Sequence, residues 1–499
     1  MFLLLWYRNE VFPCIGILAL TIFPPKELTI PCIPRQIPKI GIFAPSCKIV
    51  SLQTPKYSEF SGNEIFPNKS LINSKGNISI DSVDLEGLAN EYGTPLYVYD
   101  ESTIISTIKD FQDSFGAELD NAVISYSTKA FSNPYLLKIL KENGMSIDVV
   151  TGGELAVAKH IDFPPKRMNF HGNNKSPDEL EDAINYGIGH ITIDSFNEIE
   201  NLKNITAKLG VNQDVMIRVS PSVDPDTHLL TTTGILDSKF GFSIETGDAE
   251  EAIKRLVQIK SLSLIGLHFH LGSPIFELEP YSEAIEYVYE FASDMRDKYG
   301  IDVKEFSPGG GFAIGYLSKK QPPPISDYAK TIGDAVKKAC DVNGFDIPKV
   351  ILEPGRALVG RSGVSIYKIG SIKEIPGVRN YISVDGGMGD NIRPALYGSE
   401  YSVFSVNKIT ENNNLMKATI SGKFCESGDY LAKDIDLPNP TIGDLLVLPA
   451  SGAYNLAMAS NYNMQIRPAV VMIKNGSHFL IRRRESYEDL LSTSVLWQL

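Results

Sequence analysis

Between residues 120 and 355, eight short apolar runs alternate with stretches whose apolar residues recur at helical spacing, and beyond residue 365 strand signals follow with no long helix between them. Together these observations predict an α/β fold: a (β/α)8 TIM-type barrel followed by a mostly β C-terminal domain. The count of eight separates this reading from a generic alternation of strands and helices.

The eight runs are AVISYS (122–127), SIDVV (146–150), MNFHG (168–172), HITID (190–194), VMIRVS (215–220), LIGLHFH (264–270), VKEFSPGGG (303–311) and VILEPG (350–355). Stretches such as PYLLKILKENG and EAIKRLVQIK between them have helical periodicity. Three helix starts have the Ser/Thr-x-x-Glu capping pattern: Thr151 with Glu154, Ser176 with Glu179, and Ser195 with Glu198. After the barrel, VSIYKIGSI, NYISVD, KATISGKF and LLVLPA read as strands, and AVVMIKNGSHFLIRRR as a hairpin turning at Asn475-Gly476. The strand-like TPLYVYD (94–100) fits either unit. The expected division is an extension over 1–80, a barrel over 81–365 to which 81–104 need not belong, and a β domain over 366–499.

The chain has 499 residues, 43% of them hydrophobic, enough to bury a large core. A net charge of −13 argues against nucleic acid or an anionic membrane as partner. Five cysteines with no CxxC pair predict no disulfide framework, and hence a reducing cytoplasm. Residues 1–80 differ in holding eight Lys/Arg against four Glu, so the acidity lies beyond them. Their apolar run VFPCIGILALTIF (11–23) falls short of the about 20 residues of a spanning helix. The segment is expected to be a disordered extension or a mis-assigned start.

Barrel enzymes carry their chemistry at the C-terminal ends of the strands, often with a phosphate site after strands seven and eight. Strand seven ends in SPGGGF (307–312) and strand eight in EPGR (353–356). Three glycines ordinarily mark only a turn. At this address, beside Arg356, their N–H groups can converge on an anion. Lys129, just past strand one, reads as a Schiff-base lysine, and with a phosphate site it implies pyridoxal phosphate (PLP). His268 and His270, two apart at the end of strand six, share a face. Zinc would want a third protein ligand; Glu353 is the obvious candidate and no HExxH pattern exists, so no metal is expected. An imidazole stacked on a flat cofactor is the better reading. A carboxylate at Glu353, set against the cofactor's ring nitrogen, keeps that nitrogen protonated and favours decarboxylation.

In their order along the chain, YSTKAF, TGGEL, HGNNKS, LHFHLGS, GGGF, EPGR, RPALYG, CESGDYLAKD and GAYN resemble the diaminopimelate decarboxylases, PLP enzymes with an alanine-racemase-like barrel and a β domain. The resemblance runs from about residue 81 to the C-terminus. It implies that Lys129 carries the cofactor and shuttles protons, that His270 stacks on its ring with His268 in support, and that Ser273, Gly309, Gly310 and Gly311 hold the phosphate. Glu353, Pro354, Gly355 and Arg356 form a second cofactor-binding run, and Arg356 also touches substrate. Arg393 and Tyr397 bind the distal carboxylate of meso-diaminopimelate, Glu426 its distal ammonium, and Tyr454 reaches both cofactor and substrate. Cys425 acts at the reacting centre, and with Glu426 it serves the neighbouring subunit of a homodimer. One departure, Ile435 where a basic residue is expected, lies away from these positions.

The physics of the far end agrees, since an amino acid there needs a cation for its carboxylate and an anion for its ammonium. Decarboxylases of carboxynorspermidine, ornithine or arginine have less need of Arg393 with Glu426. A racemase of this fold would place arginine rather than glutamate at the ring nitrogen. A non-catalytic PLP carrier would lack the second domain.

Overall fold

The computed structural model describes residues 60–224, 233, 238–409 and 414–496. The run 11–23 lies outside them. Eight parallel strands close a barrel: Ala122–Ser127, Ser146–Val149, Met168–Phe170, His190–Ile193, Gln213–Ser220, Leu262–His268, Glu305–Gly309 and Lys349–Leu352. The eighth pairs back to the first through Val350–Ala122 and Leu352–Ile124. Strands buried on both faces read as continuous apolar runs, which is why the sequence displays them so plainly. Pro308 sits inside the seventh strand without an N–H to give; the register shifts between Phe306 and Gly309, and this bulge accommodates it.

The three expected caps form, with a variation. Ser176 and Glu179 make a reciprocal capping box. Thr151 and Ser195 also accept from the N–H groups of Glu154 and Glu198. Here the glutamates reach one residue further back, to the N–H groups of Val150 and Asp194. Each still satisfies a donor at the point where the barrel strand turns into its helix.

A second, nine-stranded sheet holds Gly363–Ile375 at its centre. Leu96–Asp100 belongs to this sheet, antiparallel to Gly363–Ile366 and parallel to Ala469–Ile473. Ala469–Lys474 and Ser477–Arg482 form the expected hairpin, and both turn residues, Asn475 and Gly476, have positive φ, as a tight two-residue turn demands. The chain therefore enters the β domain first, builds the barrel, and returns.

The boundary expected at residue 80 is too late. Ser70–Ile72, Ile78–Ile80 and Val83–Asp84 form a small antiparallel sheet. Ile65, Phe66, Ile78 and Ile80 are fully buried against Leu96, Val98, Val364 and Val471. The strands are only two or three residues long, too short for periodicity to reveal. Among the described residues no helix is long and apolar enough to cross a membrane.

Candidate active site

The residues following the barrel strands enclose a cavity of about 530 Å³, within the usual size of a small-molecule site. After strand one the chain makes a single turn, Thr128–Ala130, that sets Lys129 in the cavity wall. The turn is pinned on both sides: the Thr128 hydroxyl donates to the Asp148 carbonyl at 2.7 Å, and the Tyr454 N–H to the Ala130 carbonyl at 2.8 Å. Tyr454 achieves this at φ 64°, a left-handed conformation that a bulky residue adopts only when its surroundings enforce it.

Gly310 and Gly311 present bare backbone to the cavity. A Cβ on Gly310 would lie 2.2 Å from the Glu353 carbonyl oxygen, so strands seven and eight approach this closely only with glycine there. The Gly310 N–H donates to His270 Nδ1 at 3.2 Å. That makes Nδ1 the acceptor and the ring neutral, in keeping with its pKa, which burial and then the charges of Lys129 and Arg218 push well below the usual histidine value. Arg356 donates to Ser273 Oγ at 3.2 Å and to the Tyr316 hydroxyl at 2.6 Å, with its guanidinium 5.0 Å above the Tyr454 ring.

Glu353 lies at the base of the cavity. Ser307 donates to one oxygen at 2.6 Å, and His268 Nε2 stands 3.1 Å from the other. Burial alone would raise its pKa; His268, His171 and these hydrogen bonds outweigh that and hold it well below the carboxylate norm. Asp148 moves the other way, raised well above its norm by burial and by the charge of Glu353. Both carboxyls lie 3.7 Å from His171 Nε2, and of the two like charges Glu353 keeps its own.

Arg393, on the helix Arg393–Tyr397, is buried, and its guanidinium is oriented by Tyr401 Oη at 3.0 Å and Ser399 Oγ at 3.3 Å. It lies 5.5 Å from the Tyr397 ring centre and 5.8 Å from that of Tyr454. Among the described residues no carboxylate forms an ion pair with it.

The cavity wall thus includes Lys129, His270, Ser273, Gly310, Gly311, Glu353, Gly355, Arg356, Arg393, Tyr397 and Tyr454, with His268 beside them. Gly309 and Pro354 are not part of this wall and instead hold it together. The Gly309 carbonyl accepts from the Glu353 N–H, and the Pro354 carbonyl from the Ser127 N–H. Cys425 and Glu426 are exposed and do not line the cavity of their own chain.

Asp148, His171 and Arg218 also line the cavity, at the ends of strands two, three and five, and escaped the sequence reading. They share the strand-end address of Lys129 and Glu353, but they sit in runs that read as ordinary buried strands. His171 also supplies the third side chain that a metal centre would require: ligand atoms of His171, His268 and Glu353 lie within 4.8 Å of one another. Both Glu353 oxygens are already engaged by Ser307 and His268, as befits a carboxylate kept ionised for a cationic partner.

Fold and site define a class, the pyridoxal-dependent decarboxylases with a barrel and a β domain. The family model described as "Pyridoxal-dependent decarboxylase, pyridoxal binding domain" matches residues 101–360. The diaminopimelate decarboxylase of Bacillus subtilis (strain 168) is 44% identical over 423 residues, covering 85% of this chain and 96% of the relative. That of Mycobacterium tuberculosis (strain H37Rv) is 39% identical over 440 residues, 86% of this chain and 98% of the relative. The crystal structure of the M. jannaschii diaminopimelate decarboxylase in complex with L-lysine superposes with a TM-score of 0.79 at 34% identity, covering 84% of this chain and 96% of that one. The chain belongs to the diaminopimelate decarboxylase family.

The cofactor of this family is pyridoxal 5'-phosphate, and the residues present fit it. Bare glycine backbone, Ser273 and Arg356 suit the phosphate. The ionised Glu353 suits a protonated ring nitrogen. Buried His171 Nε2 and His268 Nδ1 have no protein hydrogen-bond partner among the described residues, as in a site built to receive a polar ring.

Proposed function

We propose that this chain releases one carboxylate of meso-2,6-diaminopimelate as carbon dioxide and leaves L-lysine, the last step of lysine biosynthesis. The observation that carries the substrate assignment is Arg393: a buried guanidinium on the cavity wall, held by hydroxyls, with no described carboxylate neutralising it. Such a group selects an anion at the far end of the substrate. A diamine-forming substrate such as ornithine or arginine brings a cation there and is repelled. The M. jannaschii relative was crystallised with L-lysine, which is the product expected here.

Bound PLP supplies the electron sink for the pair left at Cα when the carboxylate departs. The chain does the rest. Lys129 anchors the cofactor and moves the proton at Cα, and His270 packs against the ring. Gly310, Gly311 and Ser273 hold its phosphate, Gly309 braces that loop, and Glu353, Pro354, Gly355 and Arg356 form a second cofactor-binding run. Glu353 keeps the ring nitrogen protonated. Arg393 and Tyr397 orient the distal carboxylate, Arg356 and Tyr454 reach the substrate as well, and Glu426 takes the distal ammonium. Cys425 works at the reacting centre. Since Cys425 and Glu426 stand outside their own cavity, they complete the site of a second copy in a two-fold homodimer. The sparse cysteines suit a reducing cytoplasm.

Carbon dioxide release from purified protein, offered meso-diaminopimelate, ornithine and arginine side by side, tests the assignment. Release from meso-diaminopimelate should dominate. Equal or faster release from either of the others would replace it.

A further inference from the structure

The motif that carries Cys425, CESGDYLAKD, also contains Asp429, which the reaction above does not use. Asp429 is buried, and its two oxygens take backbone N–H groups from two different loops. Met388 donates to Oδ1 at 2.7 Å and Phe424 to Oδ2 at 2.8 Å. Met388 lies in the loop that runs directly into the helix bearing Arg393; Phe424 immediately precedes Cys425. The fit around the carboxylate is close on both sides. A Cβ on Gly387 would lie 2.4 Å from Oδ1, and one on Gly422 2.3 Å from Oδ2. The Lys423 N–H donates to the Gly386 carbonyl at 3.0 Å, joining the same two loops directly.

We propose that Asp429 is a positioning residue for substrate recognition, a carboxylate clip that holds the Arg393 loop and the Cys425–Glu426 loop in fixed relation. The proposal rests on the reading that Arg393, Cys425 and Glu426 handle the substrate. Only a side chain with two acceptor atoms and no donor satisfies two converging N–H groups. An asparagine must turn an NH2 toward one of them, losing one charge-assisted bond and leaving a buried donor facing another donor.

The experiment compares wild-type holoenzyme with Asp429→Asn and Gly422→Ala, the second displacing the carboxylate while keeping it. Each is measured for visible absorbance of bound PLP, for kcat and KM with meso-diaminopimelate, and for the rate at which iodoacetamide alkylates Cys425, read on its peptide by mass spectrometry. PLP absorbance should persist in both variants. KM should rise about tenfold or more, the scale of one lost charged hydrogen bond, with a smaller change in kcat. The alkylation rate of Cys425 should change severalfold. Unchanged KM with unchanged alkylation overturns the proposal, as does loss of folded, PLP-loaded protein in both variants. Cys425→Ala serves as a separate control: if it turns over normally, the assigned role of Cys425 fails. The clip is then still judged by the alkylation rate and by KM.

Discussion

A carboxylate buried beneath a cavity is stable only if its oxygens are satisfied, and Glu353 is satisfied by Ser307 and His268. Glu353→Gln keeps the shape but removes the charge. PLP should remain bound while kcat falls tens- to thousands-fold, at about 1.4 kcal/mol of barrier per decade. Unchanged turnover at saturating substrate would contradict the assigned role. Lys129→Ala should abolish both turnover and the visible absorbance of lysine-bound PLP. Borohydride-reducible PLP on another lysine of the variant would reassign the anchor. At this scale the sequence exposed residues whose chemistry is unusual for their address: a lysine past strand one, or a glutamate before Pro-Gly. Asp148 and His171 were harder to see because their runs, SIDVV and MNFHG, read as ordinary buried strands. Their meaning comes from Glu353, which lies far along the sequence and 3.7 Å from His171 in space.

Elements were legible where they recur in a pattern: even the three-residue strand Met168–Phe170 is placed by its seat in the barrel alternation. Barrel strands and their capped helices announced themselves through apolar runs and turn chemistry; the short strands at 70–84 did not. Two predictions belong here. Gly310→Ala would drive a methyl into the Glu353 carbonyl, so the strand-seven and strand-eight loops must part. Dialysed variant should lose PLP absorbance that wild type retains, and equal retention would show that the loop can yield. The second concerns the correction at residue 80. A chain beginning at Phe60 keeps Ile65, Phe66, Ile78 and Ile80 in the core, while one beginning at Asp81 strips them away. Burying one such side chain contributes about 1.5–3 kcal/mol. The shorter chain should therefore melt well below the longer one, or fail to accumulate; equal melting temperatures would restore the original boundary.

At the scale of the whole molecule, the number of chains that make one site is tested by mixing variants. Lys129 and the glycine loop serve the cavity of their own chain, while Cys425 and Glu426 face outward. If two copies exchange these groups, inactive Lys129→Ala and inactive Cys425→Ala should rescue each other. Random re-pairing gives about half heterodimers with one intact site each, so about a quarter of wild-type activity is the ceiling by symmetry. A mixture whose subunits demonstrably exchange and which stays inactive would refute the shared site. The path of the chain through the β domain also has a consequence in time. Leu96–Asp100 must wait for Ala469–Lys474, about 370 residues later, before that pairing can form. At 5–20 residues per second, synthesis leaves this strand without that neighbour for roughly 20 to 75 seconds. All eight barrel strands emerge from the ribosome within that interval, so the barrel can close before the sheet is complete, and the last hairpin to be made fastens the late end of the chain to its early strand.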